Sequence, residues 1–128
     1  MTRKIFALSL LVLMAGVLAF AQEAKQPLKL TGYLIDNMCA GAEGEGDGVE
    51  ETAKGHPTAC ALMPACSATG YSLVVEKKIY KLDEAGNKAA LAVLKATKAK
   101  KGLRVEVEGT LDGSNLRATK VSEVNAAG

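Results

Sequence analysis

From Leu28 the chain alternates, with Leu28, Leu30, Gly32 and Leu34 on one side and Lys29, Thr31, Tyr33 and Ile35 on the other. A period of two predicts a strand with one buried face and a second, partly covered face. Asp36-Asn37 ends it. Residues 37–69 then lose all periodicity: Gly41, Gly44, Gly46, Gly48 and Gly55 lie among Glu43, Glu45, Asp47, Glu50 and Glu51, which predicts a long mobile loop with a short helical turn near 49–54. The β-branched run 71–75 and the run 78–82 flank the polar Glu76-Lys77 and read as a hairpin. Asn87 is a candidate N-cap for a helix over 88–101, with Ala90, Leu91, Val93, Leu94 and Thr97 on its apolar side and Gly102 as its terminator. The strand over 103–111 is the cleanest signal: Leu103, Val105, Val107, Gly109 and Leu111 face one way, Arg104, Glu106, Glu108 and Thr110 the other. Asp112-Gly113 marks a reversal into a partner strand over 116–124, whose phase break between Ala118 and Val121 predicts a bulge near Thr119-Lys120.

The order is three strands, a helix and two strands, over residues 28–124. It resembles the OB-fold, a mainly β class in which five strands form a Greek-key barrel with one helix between the third and fourth. An α+β meander, with the helix on one sheet face, is the alternative.

The N-terminal segment changes the composition. Arg3-Lys4, the apolar run from Ile5 to Leu18 and the ending Ala19-Phe20-Ala21 have the form of a secretory signal peptide over 1–21, cut between Ala21 and Gln22. The run is short of the roughly 20 apolar residues that span a bilayer. The expectation is therefore a secreted or periplasmic protein with no membrane span after cleavage, a flexible lead-in over 22–27 and a tail over 125–128. Cleavage removes two of the 16 basic residues and leaves 14 against 14 acidic ones. Neutrality argues against a general nucleic-acid binder, which needs excess Lys and Arg for phosphates. It also removes both phenylalanines, so Tyr33, Tyr71 and Tyr80 are the remaining aromatics. They are too few for a stacking platform.

All three cysteines and the one histidine fall between 39 and 66, as Asp36-x-x-Cys39, His56-x-x-x-Cys60 and Cys66. Two chemistries fit. Cys39, His56, Cys60 and Cys66 could close a zinc shell, with Asp36 as alternate ligand, or bind copper as a sulfur-rich set with Met38 and Met63 nearby. Alternatively two of Cys39, Cys60 and Cys66 form a disulfide, worth about 3 kcal/mol for a loop of about 20 residues. The odd count then leaves one thiol free to bind metal or link a second chain into an oligomer. No C-x-x-C or C-x-x-C-H is present, so thioredoxin-type and haem-attachment motifs are absent from the sequence. The His56–Asp36–cysteine set is no specific signature of an enzyme, and no catalytic residue is assigned.

The acidic run over 43–51 lacks the order of a calcium loop and reads as solvated. The lysines of 88–101 read as the wet side of a helix.

Gly32-Tyr33, Asp36, Cys39, then His56, Cys60, Cys66 and Gly70-Tyr71 resemble the pattern of small exported bacterial OB-fold-like proteins of uncharacterised function. The resemblance implies export and a barrel, and carries no activity. The sequence thus leads to an exported, non-catalytic module whose loop is held by a disulfide or a Cys/His cluster. Its barrel face is left to bind an unknown protein or small ligand, and the alternative is a zinc or copper protein.

Overall fold

The computed structural model describes residues 26–124. The segment 1–21 expected to be a signal peptide, most of the expected lead-in and the tail 125–128 lie outside the described residues. Five strands close into a mixed barrel: β1 (Leu28–Asp36), β2 (Tyr71–Val75), β3 (Lys78–Leu82), β4 (Arg104–Asp112) and β5 (Asn115–Glu123), in the spatial order β1-β2-β3-β5-β4. Closure back to β1 runs through the pairing of β1 with β4, from Leu28 opposite Gly109 to Tyr33 opposite Arg104. Four of the five pairings are antiparallel. The fifth, β3 with β5, is parallel and short, joining Lys81 to Asn115 and Leu82 to Leu116. The meander alternative is thereby replaced by a barrel, because β1 pairs with strands on both of its edges.

The alternation seen in sequence becomes the inside of this barrel. Leu34, Leu73, Leu82, Leu103, Val105, Val107 and Leu116 fill one buried cluster together with Ala90 and Leu94 of the long helix. The second face of β1 is covered as well, since Ile35 and Val74 pack against Ala40, Val49 and Ala53. The register shift falls between Glu108 and Gly109, opposite Lys120 and Ala118, which leaves Thr119 as the extra residue of a bulge.

Residues 37–69 are not a long irregular loop. They form four short helices: α1 (Asn37–Glu43), α2 (Asp47–Gly55), α3 (Thr58–Ala61) and α4 (Pro64–Ser67). α1, α3 and α4 are too short to display a helical period in sequence, and helices of this length depend on tertiary contacts for their stability. The expected turn near 49–54 lies within α2, where Val49 and Ala53 share the buried face.

The long helix α5 also departs from expectation. It runs Glu84–Ala96, four residues earlier at its start, and its N-cap is Asp83. The Asp83 Oδ1 accepts from the Gly86 N–H at 2.9 Å and from the Ala118 N–H at 3.1 Å, so one carboxylate both caps α5 and ties it to β5. Asn87 lies inside the helix and accepts from the Tyr71 N–H instead. At the other end α5 stops at Thr97, well before Gly102. Residues 98–103 leave the helix because they bond elsewhere: Thr58 N–H donates to the Lys100 carbonyl, Thr58 Oγ1 to the Ala99 carbonyl and Gly102 N–H to the His56 carbonyl. Lys98, Lys100 and Lys101 thus belong to a strap along the His56 segment, not to a helical face.

Candidate metal centre

Asp36, the last residue of β1, caps α1: its Oδ1 accepts from the Cys39 N–H at 3.0 Å. The Asp-x-x-Cys spacing is the spacing of an N-cap and the third residue of its helix, which brings Cys39 back beside the carboxylate. His56 is the residue that ends α2. Pro57 then caps α3, and Cys60 follows within its single turn. The strap holds the backbone on both sides of this junction through Gly102 and Lys100, and the Tyr71 hydroxyl donates to the Ala61 carbonyl at 2.8 Å.

One donor atom from each of Asp36, Cys39, His56 and Cys60 lies within 4.8 Å of the other three. Donors at about 2.0–2.3 Å from a tetrahedral zinc ion stand roughly 3.3–3.8 Å apart, so this spread needs little inward movement to close on one ion. Asp36 and His56 are both buried. Asp36 Oδ2 and His56 Nε2 approach to 2.9 Å, the distance of an ion pair when His56 is protonated, but not in hydrogen-bond geometry. Among the described residues they are the buried side-chain nitrogen and oxygen atoms left without a hydrogen-bond partner. Two such atoms, close together and hydrogen-bonded to no third group, are a donor pair that a shared cation would satisfy.

The surrounding charge favours a cation. Burial pushes the Cys39 thiol up to about 11, and the Asp36 carboxylate, together with Cys60 and Cys66, pushes in the same direction. Burial and Asp36 raise the Cys66 thiol too. A cation at the centre reverses this balance, since a coordinating thiol gives up its proton.

Cys39, His56 and Cys60 are therefore together, and Asp36 stands among them as an equal donor. Cys66, on α4, lies beside the group. Its main chain is held by Thr69, whose Oγ1 donates to the Cys66 carbonyl and accepts from the Met38 N–H. The expected disulfide is not formed: Cys39, Cys60 and Cys66 are all free thiols. The sulfurs of Cys39 and Cys60 share a centre with an imidazole and a carboxylate, whereas a disulfide needs two sulfurs at about 2.05 Å in a fixed dihedral arrangement.

The scaffold around the centre includes residues that the spacing does not single out. Asn37 donates to the Thr69 carbonyl and accepts from the Ser72 hydroxyl, which joins the start of α1 to the segment after α4 and to β2. The strap is invisible in sequence for a related reason. Its bonds run between segments about forty residues apart, and nothing local marks them.

Other candidate features are accounted for by pairing. Asp47 pairs with Lys77, Glu50 and Glu51 pair with Lys54, and Glu45 accepts from the Ile79 N–H, so the acidic run does not converge on a cation. The polar groove of about 400 Å³ beside β1 holds Lys54 and Arg104, but Lys54 is paired and Arg104 lies over the Tyr33 ring at 5.7 Å. Among the described residues no helix is long and apolar enough to cross a membrane.

Comparisons of the chain with protein-family models, with curated proteins and with solved structures found no match.

Proposed function

We propose that this chain is an exported, non-catalytic metal-binding module of OB type, in which Asp36, Cys39, His56 and Cys60 hold one zinc ion and fasten the four short helices to the barrel. Support for the OB assignment comes from the strand order and from the position of α5 between β3 and β4. The segment over 1–21, with its basic start, apolar run and small-residue ending, supports export.

The observation that carries the metal reading is the buried pair Asp36 Oδ2 and His56 Nε2, 2.9 Å apart and hydrogen-bonded to no other group, within one compact set of four donors. Leaving a polar group buried and unsatisfied costs about 1–3 kcal/mol, and one ion would satisfy both atoms at once. Two thiolates, one imidazole and one carboxylate are a donor set that zinc accepts. Four protein donors close a tetrahedral shell and leave no position for a reacting water, so the role that fits is structural, or metal storage and delivery, in preference to hydrolysis. The cluster also offers what the disulfide would have supplied, a cross-link that holds a loop-rich segment onto a small core.

Metal analysis of the reduced protein tests this directly. After reconstitution with zinc and desalting, one zinc per chain is expected, and His56→Ala is expected to retain almost none. A wild-type protein that keeps no zinc, or a His56→Ala variant that keeps all of it, overturns the proposal.

A further inference from the structure

The three cysteines of the chain do not stand alike. The sulfurs of Cys39 and Cys60 belong to the group of donor atoms that lie within 4.8 Å of one another, and both residues are half-buried. Cys66 is buried and outside that group. A buried cysteine away from such a group is a small apolar filler with an inert thiol, whereas a partly exposed pair is open to a small reagent. Two sulfurs this close can be used in two ways. Both can hold an ion as thiolates, or they can bond to each other at about 2.05 Å. The uses exclude one another, because a sulfur in a disulfide carries no negative charge with which to hold zinc.

Resting on the metal-binding proposal above, we infer that the centre is a redox switch, in which a small-molecule disulfide joins Cys39 to Cys60 and releases the zinc ion, and reduction restores the site. The step is thiol–disulfide exchange. One of the two protein thiolates attacks a sulfur of the oxidant, forms a mixed disulfide and expels the oxidant's other half as a thiolate. The second protein thiolate then attacks the protein sulfur of that mixed disulfide, which makes the Cys39–Cys60 bond and expels the remaining half. The two protein sulfurs lose two electrons, the oxidant gains two, and the zinc ion leaves with its charge unchanged.

The placement of the two thiols suits such a switch. Cys39 lies in the first turn of α1, where its N–H is fixed on Asp36 Oδ1 at 3.0 Å, and Cys60 lies in the four-residue α3. Closing the remaining gap therefore takes a change of rotamer at one thiol or a small shift of a one-turn helix, and leaves the barrel strands undisturbed. The disulfide joins the same two helices that the ion joins, so the oxidised chain keeps a cross-link between α1 and α3. Asp36 and His56 remain as two donors, too few for the four-coordinate shell that zinc takes in a structural site. The proposed export adds an oxidant of the right class, since disulfides form and persist outside the cytoplasm.

The test treats the reduced, zinc-loaded, full-length protein with excess oxidised glutathione, beside an untreated control, and desalts both. Metal analysis reads the zinc, and mass mapping of peptides after alkylation of free thiols reads the disulfide. Loss of nearly all zinc is expected on oxidation, together with a Cys39–Cys60 disulfide and an alkylated Cys66. Dithiothreitol and added zinc should then return the occupancy to that of the control. Cys66→Ala is expected to lose and regain zinc as the wild-type protein does. A protein that keeps its zinc under the oxidant overturns the inference and leaves the zinc reading standing. So does one that loses zinc with its disulfide made to Cys66 or to glutathione alone, and so does a Cys66→Ala variant that keeps zinc when oxidised. A reduced protein that takes up no zinc removes the zinc reading and the switch together, whichever disulfide forms.

Discussion

The two oxygens of Asp36 do different things. Oδ1 closes the first turn of α1 on the Cys39 N–H, and Oδ2 faces His56 at 2.9 Å. Gly102 likewise combines two roles. Its φ of +58° is readily adopted by glycine, and a Cβ there would run into the Lys54 carbonyl near the end of α2. Because the Gly102 N–H donates to the His56 carbonyl, any displacement of this backbone displaces a candidate ligand. Gly102→Ala is therefore expected to destabilise the protein by about 1–3 kcal/mol, read by urea denaturation, and to weaken zinc binding although it removes no donor. Unchanged zinc affinity in a folded Gly102→Ala protein would show that the strap does not position His56. The ligand types are legible in the sequence, since every thiol and the imidazole lie between 39 and 66. What a one-dimensional reading cannot supply is the close approach of Asp36 Oδ2 and His56 Nε2 inside the fold.

At the scale of the element, the strands are legible and the short helices are not. A strand announces itself in five residues through alternation, as 103–111 does, but α3 and α4 have four residues each and no period to announce. The ends of α5 differ from the sequence expectation because Asn87 and Gly102 resemble a cap and a stop, while the real cap, Asp83, is chosen by its second bond to the Ala118 N–H on β5. Asp83→Ala removes both bonds and leaves the Ala118 N–H unsatisfied beside the core. It is expected to cost about 1–2 kcal/mol in chemical denaturation, with Asp83→Asn recovering most of the loss. An Asp83→Ala protein as stable as wild type would mean that the tie to β5 carries no energy.

At the scale of the molecule, two hydrophobic clusters share β1 and β2. One fills the barrel, and the other, built on the fully buried Ile35, Val49, Ala53 and Val74, holds α2 against its outer wall. Complete burial of an Ile or Val side chain contributes about 1.5–3 kcal/mol, enough to dock α2 before any ion is bound. The helices between α2 and β2 lack comparable burial, so metal is expected to add stability mainly there. Saturating zinc at about 100 times its dissociation constant adds about 2.7 kcal/mol, which for a domain of this size raises the melting temperature by on the order of 10 °C. Chelation should reverse the shift, and amide exchange should speed up over 56–70 while β4 and β5 keep their protection. A melting temperature indifferent to zinc and chelator would show that the ion does not couple to the fold.

The sequence by itself determined the five strands, the bulge beside Thr119 and the confinement of the soft ligands to one segment, because alternation and composition are local properties that need no partner. Tertiary structure decided the barrel closure, the true ends of α5, the strap over His56 and the meeting of Asp36 with Cys39, His56 and Cys60. Each of these depends on contacts between residues far apart in the chain. The geometry of a metal centre is of that kind, since its donors must converge on one point from separate elements, and only the packed fold fixes where that point is.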